Sequence, residues 1–145
     1  MKWILIGLAV MAAVVAVIAA IGATLPRDHV ASRSLVLQRP ADEVWVAIMQ
    51  ATAGSGVPVD VLESDPPRRQ VTRIKETEKM FGGTWTITIT PSPTGSTLTI
   101  KEDGWVGNPI FRFVSRYVMG HHATMDGMLK EVAKQFGEQP ELSGT

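Results

Sequence analysis

Side chains able to do acid–base, metal or nucleophilic chemistry are sparse in this sequence and poorly grouped. Its three histidines are His29, His121 and His122, and it has no cysteine. Disulfides and thiolate metal sites are therefore excluded. His121 and His122 are adjacent. Neighbouring residues on a helix point about 100° apart, so the two cannot hold one metal from a single rigid face. His122 and Asp126 have the four-residue spacing of a helical pair, but two ligands do not make a metal site. The ordinary reading puts His121 at the edge of a core and His122–Asp126 at the surface. A ligand-contacting His121 is the sharper alternative, with metal binding or general-base work behind it. Glu102 and Asp103 follow a strand pattern and read as solvated turn residues rather than an acid/base pair. Tyr117 needs a hydroxyl partner if buried, either a ligand or a carbonyl. Met80, Met119, Met125 and Met128 suit either ordinary core filling or the soft lining of an apolar space. Ala53-Gly54-Ser55-Gly56 lacks the following Lys-Ser/Thr and the preceding strand of a phosphate loop. No nucleophile–base–acid set emerges at any spacing. No catalytic residue, metal or cofactor is assigned.

These residues must be positioned by the elements around them, above all by a C-terminal helix expected over Asn108 to about Phe136. Asn108 is a good N-cap, and Pro109 suits the first helical position. Ile110, Val114, Tyr117, Val118, His121, Met125, Met128, Leu129, Val132 and Phe136 recur at three- and four-residue steps, one apolar stripe. Gly137 fits the closing cap. Such a helix runs about 40 Å and must lie across something broad. Gly120 and Gly127 weaken it by about 1 kcal/mol each relative to alanine and mark a bend or close packing.

The strands are the partner. In Gly83–Thr90, Trp85, Ile87 and Ile89 alternate with threonines. After the turn-rich 91–96, Thr97–Glu102 returns with Leu98 and Ile100 on one face. This hairpin should set its apolar face against the helix. Burying Trp85 alone is worth roughly 2–3 kcal/mol. Trp105 and Val106 are expected to cover the mouth of any space left. Val30–Gln38 is a strand with Leu35 and Leu37 on one face, and Pro40 ends it. Ala41–Ala51 is a short helix with Val44, Trp45, Ile48 and Met49 on one side and Asp42 and Glu43 near its start. Val57–Val61 reads as an edge strand because of Pro58, Asp65–Arg68 as a turn, and Gln70–Lys75 as the next strand.

The run from Ala31 to Trp45, with its strand followed by Pro40-Ala41-Asp42-Glu43-Val44-Trp45, resembles the opening of SRPBCC superfamily proteins. These include START-like lipid carriers and polyketide cyclase/dehydrases. Phe81-Gly82-Gly83-Thr84-Trp85-Thr86, Ile100-Lys101-Glu102-Asp103-Gly104 and Asn108-Pro109-Ile110-Phe111-Arg112-Phe113-Val114 are similar to later parts of that family. The resemblance covers most of Val30–Phe136. It implies a helix-grip fold, a curved antiparallel sheet around a long C-terminal helix. It also implies a hydrophobic cavity between them. Relatives usually carry a second short helix and two more strands where only Thr52–Gly56 stands here. The resemblance therefore implies a shortened middle, with a smaller, more open or absent cavity.

Trp3–Leu25 has no charged residue and, at 23 residues, is long enough to cross the ~30 Å hydrocarbon core as a helix. Trp3 sits where an interfacial aromatic belongs. Pro26 and Arg27 end the run. The competing reading is a signal peptide cleaved near Ala20-Ile21-Gly22, but signal h-regions usually span only about 7–15 residues. Arg27, Arg33 and Arg39 place more positive charge after the span than Lys2 does before it. That favours a cytoplasmic domain by the positive-inside count, while the one-lysine start also suits a signal-anchor with the domain outside. Fourteen basic and fourteen acidic residues cancel, which argues against non-specific nucleic-acid binding.

The expectation is an α+β protein: an anchor over residues 1–26, a helix-grip domain of about five antiparallel strands over 27–137, and a flexible tail over 138–145. The protein should lie in the plasma or inner membrane as a single-pass chain. Its domain would bind a lipid or other hydrophobic small molecule in a space lined by Trp45, Met49, Trp85, Ile87, Leu98, Ile100, Val114, Tyr117, Val118, His121 and Met125. A cyclase/dehydrase-like enzyme, with Tyr117 or His121 directed into the space, is the second reading. The third is a non-catalytic interaction module whose open sheet edge pairs with a second copy or another protein.

Overall fold

The computed structural model describes residues 1–75 and 80–145. Helix α1 spans Lys2–Thr24, and no residue of its most apolar stretch is buried. Strand β1 (Asp28–Leu37), helix α2 (Ala41–Gly54) and strands β2 (Val59–Asp65), β3 (Arg69–Ile74), β4 (Phe81–Ser92) and β5 (Gly95–Val106) follow. Then come α3 (Pro109–Val114), a π turn over Ser115–Met119, α4 (Ala123–Gln135) and a short β6 (Leu142–Ser143). The six strands form one sheet in the order β2-β3-β4-β5-β1-β6, and every pair is antiparallel. The α+β architecture read from the sequence is present.

Alternation decides which faces meet. Ala31, Leu35 and Leu37 of β1, Ile87 and Ile89 of β4, and Leu98 and Ile100 of β5 are all buried on one sheet face. Val44, Ala47 and Ile48 of α2 and Met125, Leu129, Val132 and Ala133 of α4 close over them. The β4–β5 turn is tighter than its composition suggests: only Pro93 and Thr94 lie between the strands. Trp105 and Val106 end β5. The edge strand β2 carries a bulge at Val61/Glu63, a device that discourages pairing with another chain. At the other edge, β6 pairs with β1, and Ser32 N–H donates to the Thr145 carbonyl at 2.6 Å. The tail expected to be free is thus tied back at its end.

The single long helix is the main correction. Asn108 caps as expected, its Oδ1 accepting from Ile110 N–H at 2.8 Å. After six residues, however, α3 widens into the π turn, and Gly120 stops the helix at φ +76°. No L side chain takes that conformation readily, and α4 restarts in a new direction from Ala123. Of the two halves, α4 lies on the sheet, and α3 touches only the end of β5. α3 packs against α1 instead. Tyr117 and Val118, expected inward, are 60% and 72% exposed.

Candidate functional site

A cavity of about 540 Å³ lies between the sheet and the two helices that cover it. That volume is in the range of small-molecule pockets, about 300–1,000 Å³. Its floor follows from strand register. Gln70, Thr72 and Ile74 share one face of β3 at period two. Thr72 stands opposite Trp85 on β4, and Trp85 opposite Glu102 on β5. The next row sets Gln70 against Ile87. Met49, Thr52 and Ala53 at the end of α2, with Val57 and Val59 beyond it, form one wall. Thr124 and Met128 of α4 form another, and Phe81 stands at the rim, half-exposed.

The one ionisable group lining this space is Glu102, among the described residues. It follows Leu98 and Ile100 in phase and so points inward, not out from a turn as its position after the strand pattern suggested. Asp103 faces outward beside Lys101 at 3.1 Å. One Glu102 carboxylate oxygen accepts from Trp85 Nε1–H, and the other lies 2.7 Å from His29 Nε2. His29 reaches it diagonally: Ala31 is directly opposite Glu102, and His29 is opposite Gly104. A Cβ at Gly104 would stand 2.7 Å from the His29 ring, so a side chain there would push the imidazole away. The far face of His29 stacks on His121, with ring centroids 4.2 Å apart. Burial holds the His121 imidazole below its ordinary 6.5, and His29 and Arg116 add to the effect, with Glu102 opposing it.

Of the residues read as cavity lining, Met49, Trp85 and Ile87 do line it. Leu98, Ile100 and Met125 are buried in the core, and Trp45 packs at its edge. Val114, Tyr117 and Val118 belong to the segment beside α1 and do not reach the cavity, because the helix breaks before α4. Tyr117 packs on Phe113, with ring centroids 5.1 Å apart. His121 lines a second, smaller crevice of about 210 Å³, near the end of α1. The expected His122–Asp126 pair gives way to a close ion pair of Asp126 with Arg33 at 2.9 Å. The sequence reading missed Gln70, Thr72, Ile74 and Glu102. The signal was there in the period-two phase of each with its strand. Charge alone favours water for a carboxylate, and that preference masks the phase of Glu102 with Leu98 and Ile100.

A scan against protein-family models finds no match, and a search of curated proteins finds none. Solved structures do match. A conserved protein from Geobacillus kaustophilus is 15% identical with a TM-score of 0.62, over 79% of this chain and 99% of that one. A protein from Mesorhizobium loti is 14% identical with a TM-score of 0.57, over 77% of this chain and 97% of that one. The di-domain ARO/CYC StfQ of the steffimycin biosynthetic pathway is 14% identical with a TM-score of 0.50, over 77% of this chain and 52% of that one. At such identities the likeness is one of fold, and the fold is helix-grip. Coverage of 99% of the Geobacillus chain gives the expected shortening no support.

Proposed function

We propose that this protein binds a hydrophobic small molecule or lipid in the cavity between sheet and helices, and that α1 holds the domain at a membrane. The observation that carries the reading is the cavity itself, about 540 Å³ with an apolar lining and one inward carboxylate, Glu102. Apolar walls supply affinity, and a few fixed polar groups orient the ligand. Thr72, Gln70 and Glu102 are those groups here. For the anchor, a helix of 23 residues whose only charge is Lys2 at its start matches the hydrocarbon thickness. The buried Gly22 against α3 favours a retained helix over a cleaved leader, since cleavage near Gly22 would strip that contact.

A second reading has one specific observation behind it. Glu102, His29 and His121 form a continuous line from the cavity outward, and a carboxylate–imidazole pair is general acid–base equipment. The ARO/CYC likeness extends to fold only, so it adds no reaction. Binding is the better account because both Glu102 oxygens are already engaged and, among the described residues, no Ser, Thr or Lys makes a hydrogen bond or ion pair with it.

The test is to extract the full chain gently from membranes and record native mass spectra, with organic extraction of a parallel sample. The expected result is an apolar molecule held in stoichiometric amount. Met128→Trp, which narrows the cavity from the α4 wall, should lower the bound fraction. A bare protein mass that stays bare after incubation with mixed lipids and apolar metabolites would refute the reading.

A further inference from the structure

The segment before the break at Gly120 touches the sheet only at the end of β5, through Arg112. Ile110, Phe111, Tyr117, Val118 and Met119 are all exposed, although Ile110, Tyr117 and Val118 belong to the first half of the apolar stripe that α4 continues. What the segment does touch is α1. Along α1, Gly22 is buried and Ile18 and Ala19 are part-covered, with Leu25 just beyond the helix. These stand at i, i+1, i+4 and i+7, one helical face over its last two turns. The approach is close enough to need glycine: a Cβ on Gly22 would fall 1.8 Å from the Pro109 carbonyl oxygen.

The junction is short and hydrogen-bonded. Three residues, 25–27, separate α1 from β1. Arg112 ties them down, donating from Nε to the Val106 carbonyl at 2.8 Å and from Nη2 to Gly107 at 2.9 Å, with Nη1 3.4 Å from the Leu25 carbonyl oxygen. Val106 N–H donates to the Arg27 carbonyl at 2.9 Å. The exposed apolar segment is therefore fixed beside the end of α1.

The same end carries a belt of cations and aromatics. Arg27 lies 4.6 Å from the centroid of the Trp105 ring. Arg27, Arg112 and Arg116 wall the 210 Å³ crevice, together with Asp28, His29 and His121. Among the described residues none of the three guanidinium groups has a carboxylate within ion-pair distance. Asp28 is the one acid in the wall, and His29 is already engaged by Glu102. Paired arginines and aromatics beside an apolar surface are the chemistry of a membrane–water interface, where guanidinium groups meet phosphates.

We propose that α3 and its π turn form a second membrane contact, with Phe111, Val118 and their neighbours in the bilayer interface beside α1. The arginine-walled crevice at its root receives the phosphate of a lipid headgroup. This rests on the reading of α1 as a membrane helix. The domain then stands on the membrane in one orientation rather than hanging from a tether.

Because the chain has no cysteine, single-cysteine variants can be spin-labelled without background. The full chain is placed in vesicles of phosphatidylcholine and phosphatidylglycerol with labels at Phe111→Cys, Val118→Cys, Val14→Cys in α1 and Glu131→Cys on the outer face of α4. Labels at Phe111 and Val118 should be relaxed more by oxygen than by a water-soluble nickel chelate, as at Val14, and Glu131 should show the reverse. If Val14 behaves as lipid-embedded while Phe111 and Val118 behave as Glu131 does, the proposal is overturned and the anchor stands. If Val14 is itself in water, both fall. For the crevice, native mass spectra of Arg27→Gln/Arg116→Gln should lose a phospholipid adduct that Met128→Trp keeps. An adduct kept by the double variant and lost by Met128→Trp would assign the lipid to the large cavity and overturn the crevice site.

Discussion

Replacing Glu102 by leucine and by glutamine separates two ways in which one inward carboxylate can hold this sheet together. Glu102 accepts from Trp85 Nε1–H and lies 2.7 Å from His29 Nε2, and its side chain is 18% exposed. Leucine keeps the bulk and removes both acceptors. Trp85 Nε1–H has no other role than donor, so it is stranded, and an unmade part-buried hydrogen bond costs about 1–3 kcal/mol. Counting two such losses and reducing them for partial exposure gives about 2–4 kcal/mol. A domain of this size loses about 4 °C per kcal/mol, so Glu102→Leu should melt roughly 8–16 °C lower. Glutamine is different. Its carbonyl can still accept from Trp85, and its amide can donate to His29 once the imidazole carries its proton on Nδ1. Only charge assistance is lost, about 1 kcal/mol. Circular-dichroism melts of the purified full chain at pH 7.5 compare the two. Equal melting of Glu102→Leu and the parent would show that the network contributes nothing. Equal losses in both variants would show that charge, and not hydrogen bonding, is what the site uses.

Gly120→Ala discriminates by sign. In an unbroken helix it would stabilise by about 1 kcal/mol, whereas at φ +76° it should destabilise by about 1–3 kcal/mol, read in the same melts. Leu98, fully buried, should lose about 2–5 kcal/mol on change to alanine, while Tyr117→Ala in detergent should stay within about 0.5 kcal/mol. Gly22→Val must push α1 off Pro109, an overpacking cost of about 1–3 kcal/mol. A spin label at Phe111 should become more mobile in that variant, and unchanged mobility would contradict the contact. For His121, whose pKa lies below 6.5 when folded, the folded state binds its proton less readily than the unfolded chain. The stability this confers is present above 6.5 and is lost as pH falls through the lowered folded value. The melting difference between parent and His121→Gln should therefore narrow or reverse between pH 7.5 and 5.5, and a pH-independent difference would exclude the effect.

The strands were legible because period two is unambiguous. Trp85, Ile87 and Ile89, then Leu98 and Ile100, lie where alternation puts them. Helix α2 is legible from Val44, Trp45, Ile48 and Met49, which fall on one side at helical spacing. Periodicity does not distinguish one helix from two whose stripes happen to share a phase. Ile110, Val114 and Val118 are in register with Met125, Leu129 and Val132, so the sequence reads as one face while the backbone turns between them. Gly120 carried the warning. Its helix-propensity cost of about 1 kcal/mol is too small to distinguish a bend from a stop, and the tertiary partner that decides the matter, α1, had been set apart as an anchor. The cavity floor failed for another reason. Glu102 was sorted by charge, though its two donors, one from β4 and one from β1, become visible only once register sets Trp85 and Ala31 on either side of it.

That partition of one stripe between two partners has a physical logic. Had the helix continued, Val114, Tyr117 and Val118 would have presented the face that Met125 and Leu129 bury, and would have needed more sheet to cover them. Exposed to water, five clustered apolar side chains would be an association hazard. The turn at Gly120 takes them out of competition for the sheet and sets them beside an apolar helix whose surface the rest of the chain also leaves uncovered. The two surfaces then call for the same solvent. With Pro109 lying on Gly22 and Arg112 closing the junction, whatever environment surrounds the end of α1 surrounds Phe111 and Val118 as well. A membrane satisfies both at once, whereas water would leave two contiguous apolar surfaces unmatched.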